Sequence, residues 1–147
     1  MIGGKVLSNK REVSINLVSC QNDGQSSEKT ELFSKGTFEK TDNGYRISYE
    51  ESEATGYEGS VTTLETFGDD KVIMDRTGAV TSNLVIEMGT KHHCVYGTPY
   101  GSFTVGVNAK DIKSMLNDEG GSLDLHYVID VNSSYIGDFE IKVDVKQ

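Results

Sequence analysis

Apolar residues recur at every second position along most of this chain. Val13, Ile15 and Leu17 alternate with Ser14 and Asn16, and Leu32, Ser34, Gly36 and Phe38 share one face of the next segment. Tyr45, Ile47 and Tyr49 alternate with Arg46, Ser48 and Glu50; Val72 and Met74 with Ile73 and Asp75; Leu84, Ile86 and Met88 with Val85 and Glu87. Phe103, Val105 and Val107 follow the same rule, as do Phe139, Ile141, Val143 and Val145. The cleanest case is Leu123, Leu125, Tyr127, Ile129 and Val131 against Ser122, Asp124, His126, Val128 and Asp130. A period of two is the signature of a strand with one buried face, because successive side chains point to opposite sides of a sheet.

Turn chemistry separates these runs. Asp42-Asn43-Gly44 carries the Asn-Gly signal of a tight hairpin, and Gly68-Asp69-Asp70, Met88-Gly89-Thr90 and residues 117–121 are similar. Residues 108–117 fit two patterns: a short helix capped by Asn108, or a strand with Ile112, Ser114 and Leu116 together. The strand is preferred, because the Gly120-Gly121 turn leads straight into the Leu123 run. Many short strands joined by hairpins predict an all-β fold, a single antiparallel barrel of about 8–10 strands with meander connectivity. At 147 residues, with no linker, repeat or low-complexity tract, the chain reads as one domain over 1–147.

Composition narrows the partners. The net charge is −9, which disfavours nucleic acid and anionic membrane surfaces. No run approaches the roughly 20 apolar residues of a membrane-spanning helix. Cys20 and Cys94 lie far apart, and the start, Met1-Ile2-Gly3-Gly4-Lys5, lacks the apolar run of a secretory signal, so a reducing cytoplasm is expected. A homodimer is compatible with the sequence, as is a single Cys20–Cys94 disulfide.

Several segments resemble the YwiB-like family, an uncharacterised group of bacterial calycin-type β-barrels. They are residues 47–56, Arg76-Thr77-Gly78-Ala79-Val80, the stretch from Thr98-Pro99-Tyr100-Gly101 to Val107, and Gly120-Gly121, in that order along nearly the whole chain. The resemblance implies an antiparallel barrel similar to lipocalins and fatty-acid-binding proteins. It brings no activity or cofactor with it. The chain departs from many lipocalins in having no Trp near its first strand.

The candidate chemistry centres on Tyr49-Glu50-Glu51-Ser52-Glu53. If Tyr45, Ile47 and Tyr49 face inward, parity places Glu51 and Glu53 inward and Glu50 outward. Arg76 shares parity with Val72 and Met74, so it is the candidate partner for an inward carboxylate. Tyr49, Tyr96, Tyr100 and Thr63 are candidate hydroxyls. The competing reading ends the strand near Glu50 and leaves all three carboxylates as a solvated rim. His92-His93-Cys94 lacks metal-ligand spacing, although His126 is available as a third ligand. Pro99 marks a bend or edge, with Tyr100 over the barrel mouth.

Three function classes follow. The first is non-catalytic binding of a small amphipathic molecule inside the barrel. It would use Tyr49, Glu51, Glu53, Arg76, His92, Tyr96 and Tyr100 as polar contacts, and Ile47, Leu125, Tyr127 and Ile141 as apolar lining. The second is a structural or protein-interaction module with a filled barrel and a closed Arg76–Glu53 pair. The third is a hydrolase-like enzyme using Glu53 or His92. No catalytic residue, metal or cofactor is assigned.

Overall fold

The computed structural model describes residues 9–53, 57–98 and 100–147. Ten antiparallel strands form a closed barrel in meander order: β1 (Arg11–Asn22), β2 (Ser27–Lys40), β3 (Tyr45–Glu50), β4 (Ser60–Phe67), β5 (Lys71–Gly78), β6 (Thr81–Glu87), β7 (His92–Thr98), β8 (Gly101–Asn117), β9 (Gly120–Val131) and β10 (Ser134–Lys146). β10 returns to pair with β1, so the sheet has no edge. The period-two face is the buried face in β1, β4, β5, β6 and β9; in β9, Leu123, Leu125, Tyr127 and Ile129 are all buried.

Residues 108–117 are strand, and the reason their pattern is ambiguous is a β-bulge. β8 pairs with β9 throughout, but the register shifts between Ala109 and Asp111, leaving Lys110 as an extra residue. One inserted residue reverses parity. Odd-numbered Val105 and Val107 are therefore buried before it, and even-numbered Ile112 after it. A second bulge, between Tyr135 and Gly137, sets Ile136 out of register in β10.

The turns are only partly those expected. The Asn43-Gly44 connection spans residues 41–44, closed by the Thr41 N–H donating to the Gly44 carbonyl at 2.9 Å, rather than a two-residue turn. The tightest unforeseen hairpin is Asn132-Ser133, with φ of 52° and 68°. Both residues are left-handed, as a turn matched to strand twist requires, and neither is glycine. Pro99 and residues 54–56 lie outside the described residues. Both cysteines are free thiols.

The barrel interior divides in two. At the end bearing connections 41–44, 68–70, 88–91 and 118–119, it is solid: Ile15, Phe38, Ile47, Leu64, Met74, Ile86, Leu123 and Val143 are at most 1% exposed. Phe38 stacks on Tyr45 with ring centroids 5.1 Å apart. Gly36 makes this packing possible, because a Cβ there would meet the Ser48 carbonyl oxygen at 2.2 Å and Ile15 Cδ1 at 2.4 Å. The other half of the interior is open.

Candidate ligand-binding cavity

A cavity of about 330 Å³ occupies the half of the barrel nearer connections 23–26, 79–80 and 132–133. Its walls come mostly from strand positions that keep inward parity. Leu17, Leu84, Val105, Ile129 and Ile141 supply the aliphatic part, and Phe103, Tyr127 and Phe139 the aromatic part. Tyr127 and Phe139, neighbours across β9 and β10, stack with centroids 5.4 Å apart. The bulge residue Ile136 reaches the lining near the mouth.

Polar groups gather at one wall. Arg76, on β5, and Thr62, on β4, are directly paired across the sheet, and both point inward. Glu51 follows the last residue of β3, and its N–H donates to the Ser60 carbonyl at 2.9 Å. That one further ladder bond preserves parity and carries the carboxylate inside. Thr62 Oγ1 donates to Glu51 Oε2 at 2.5 Å, Arg76 Nη2 donates to the same oxygen at 3.3 Å, and Arg76 Nε donates to Thr62 Oγ1 at 3.1 Å. The side chains of Glu51 and Arg76 are only 2% and 8% exposed. Tyr57 lays its ring against the guanidinium, 3.8 Å from centroid to Cζ, and accepts a 3.4 Å hydrogen bond from the Tyr96 hydroxyl. A buried arginine is thus held by a carboxylate, a hydroxyl and an aromatic face, which together offset the loss of its hydration.

Burial pushes the phenols of Tyr49, Tyr96 and Tyr127 well above their ordinary value. They remain neutral hydroxyls at physiological pH. Among the described residues, neither Arg76 Nη1 nor the Tyr127 hydroxyl makes a hydrogen bond.

Of the polar positions expected to line the interior, Tyr49, Glu51, Arg76 and Tyr96 border this cavity. Three do not. Glu53 is exposed, because the chain leaves the ladder after Glu51 and parity lapses. The expected Arg76–Glu53 pair is therefore an Arg76–Glu51 pair. His92 sits beside connection 88–91, at the opposite end of the barrel, hydrogen-bonded to Glu87 at 2.7 Å. Tyr100 is 96% exposed and lies outside the lining. Thr63 faces outward and bonds Ser48 at 2.9 Å; the inward hydroxyl is Thr62, which parity with Leu64 would have identified. Tyr57 follows a segment without periodicity, and no signal in the sequence marks it. Of the expected apolar lining, Tyr127 and Ile141 border the cavity, whereas Leu125 is buried outside it and Ile47 belongs to the solid half. Among the described residues, no group of three or more His, Cys, Asp or Glu side chains is placed to hold a metal ion.

Residues 15–143, nearly the whole barrel, match a family described as "Domain of unknown function (DUF1934)". The chain belongs to the DUF1934 family. The chain is also similar to a solved structure, the crystal structure of ywiB protein from Bacillus subtilis. The two share 21% identity over 95% of this chain and 94% of that one, with a TM-score of 0.77. At that identity the likeness shows the fold alone. No curated protein matches the chain.

Proposed function

We propose that this DUF1934 barrel is a non-catalytic binder of a small amphipathic molecule, held as in calycins with its apolar part in the open half and its polar end against Arg76. The observation that carries this reading is the pairing of one solid half with a cavity of about 330 Å³ whose apolar walls converge on a single polar cluster. That volume lies at the small end of ligand pockets. A barrel serving only as a scaffold would gain stability by filling that half as densely as the other, since unfilled apolar space forfeits packing energy. The net charge of −9 favours a small molecule over nucleic acid as the partner.

Native mass spectrometry of freshly purified protein, followed by titration with an uncharged solvatochromic dye, tests this. The expected result is a co-purified small molecule or saturable 1:1 dye binding, abolished in Val105→Trp, which fills the cavity, with the β-sheet circular dichroism unchanged. Absence of both in the wild-type protein, at dye concentrations up to its solubility limit, would sink the proposal.

A further inference from the structure

The polar wall of the cavity is electrically closed. Arg76 brings one positive charge, and Glu51, bonded to it at 3.3 Å and 2% exposed, brings one negative charge. Both side chains are largely shielded from solvent, and among the described residues lining the cavity the only other charged side chain is Glu28, which is exposed. A carboxylate or phosphate entering beside Arg76 would leave one net negative charge in a low-dielectric space. An ammonium would leave one net positive charge. Either costs several times the thermal energy unless a counter-ion enters too. Glu51 cannot simply give way, because Thr62 Oγ1 also holds its Oε2, at 2.5 Å.

What the wall does offer is donors. Arg76 Nη1 and the Tyr127 hydroxyl make no hydrogen bond among the described residues, and burial keeps the Tyr96 and Tyr127 phenols protonated at physiological pH. Around these donors stand Tyr127, Phe139 and Phe103, aromatic surfaces suited to a flat apolar body.

Resting on the binding role above, we propose that the cavity selects uncharged, aromatic or otherwise flat apolar molecules bearing an acceptor oxygen, such as a ketone or amide carbonyl, and rejects the corresponding carboxylates. Glu51 is the selectivity residue: by neutralising Arg76 it converts an anion anchor into a donor for neutral carbonyls.

The test uses an isosteric pair, 2-acetylnaphthalene and 2-naphthoate, titrated at pH 7.5 into the full chain with binding read by NMR shifts of cavity residues. Ligands this small bind at best in the micromolar to millimolar range. The ketone is expected to bind about tenfold or more tighter than the carboxylate, the order of effect of one uncompensated buried charge. Glu51→Gln is expected to raise carboxylate affinity about tenfold or more and so to erase or invert the preference for the ketone, since the anion gains the charge that Glu51 neutralised. Equal or tighter binding of 2-naphthoate by the wild-type protein overturns the selectivity while leaving the binding role intact, as does a Glu51→Gln protein with unchanged preference. If neither compound shifts cavity resonances in the wild-type protein up to the solubility limit of the ketone, the proposed ligand class fails, while the binding role stands or falls on the dye titration above. Should Glu51→Gln not fold, the wild-type ratio decides alone.

Discussion

Arg76 Nη2 stands 3.3 Å from Glu51 Oε2, and the two side chains, 25 residues apart in sequence, are shielded from solvent in the barrel wall. Each makes the burial of the other tolerable. Removing one leaves an uncompensated charge, which typically costs about 3–5 kcal/mol, whereas replacing both with apolar side chains is far cheaper. Arg76→Met and Glu51→Leu are each expected to lower stability by about 3 kcal/mol, and the double variant by less than either. Urea unfolding of the four proteins measures this; additive losses would mean that the two side chains act independently.

The division of the interior predicts unequal costs for similar truncations. Phe38, 1% exposed in the solid half, should lose about 3–5 kcal/mol on Phe38→Ala, because the cavity it leaves cannot be filled by water or collapse. Phe139 already borders open space, so Phe139→Ala should cost less than half as much. Denaturant midpoints decide it, and equal losses would contradict an open half.

Tyr49, Tyr96 and Tyr127 have folded-state pKa values raised by burial above the ordinary phenol value of 10.0. A raised folded pKa means that the native state binds the proton more tightly than the unfolded state. The stabilisation is therefore complete below pH 10 and is lost as pH rises above it. Of the seven tyrosines, these three should ionise only as the barrel unfolds in alkali, giving a late step in tyrosinate absorbance that coincides with loss of the β-sheet signal. Tyr127→Phe should reduce that late step. Titration of all seven near pH 10 with the sheet intact would refute the assignment.

The seam between β6 and β7 is the thinnest in the barrel. Their ladder pairs only Thr81 with Gly97 and Ser82 with Tyr96, whereas β1 and β2 pair continuously from Arg11–Phe38 to Asn22–Ser27. Beyond those two pairs, the Val85 N–H donates to the Cys94 sulfur at 3.4 Å, a weak acceptor in place of a carbonyl. The Val85 amide should therefore exchange with solvent faster than those of the buried positions in β1 and β10, by about two orders of magnitude or more. Hydrogen–deuterium exchange followed by NMR tests this; uniform protection around the barrel would show the seam to be as firm as the rest.

Strand identity, inward face and meander order were legible in the residues, because alternation is imposed by backbone geometry at each position and needs no knowledge of distant partners. The strong runs at Val13–Leu17, Leu123–Val131 and Phe139–Val145 all face the core. Where the ladder is irregular, alternation alone failed. The bulge at Lys110 reversed parity inside one strand, so Val107 and Ile112 share a face although their numbers differ by five. Asn132-Ser133 forms a left-handed turn without the glycine that would advertise it.

The acidic stretch shows the same boundary. Its residue types and its parity with Tyr49 follow from sequence, and so does Arg76 as the inward cation. Which carboxylate meets that cation depended on where hydrogen bonding to β4 stops. One bond from Glu51 to Ser60 keeps Glu51 in the wall, whereas Glu53, two residues later and no longer in a strand, is exposed. The volume of the cavity and the arrival of Tyr57 on the guanidinium are likewise tertiary facts, since they depend on how side chains from all around the barrel meet across its interior. Local chemistry determined the strands and the candidate charges; closure of the barrel decided which charges are paired and which space stays open.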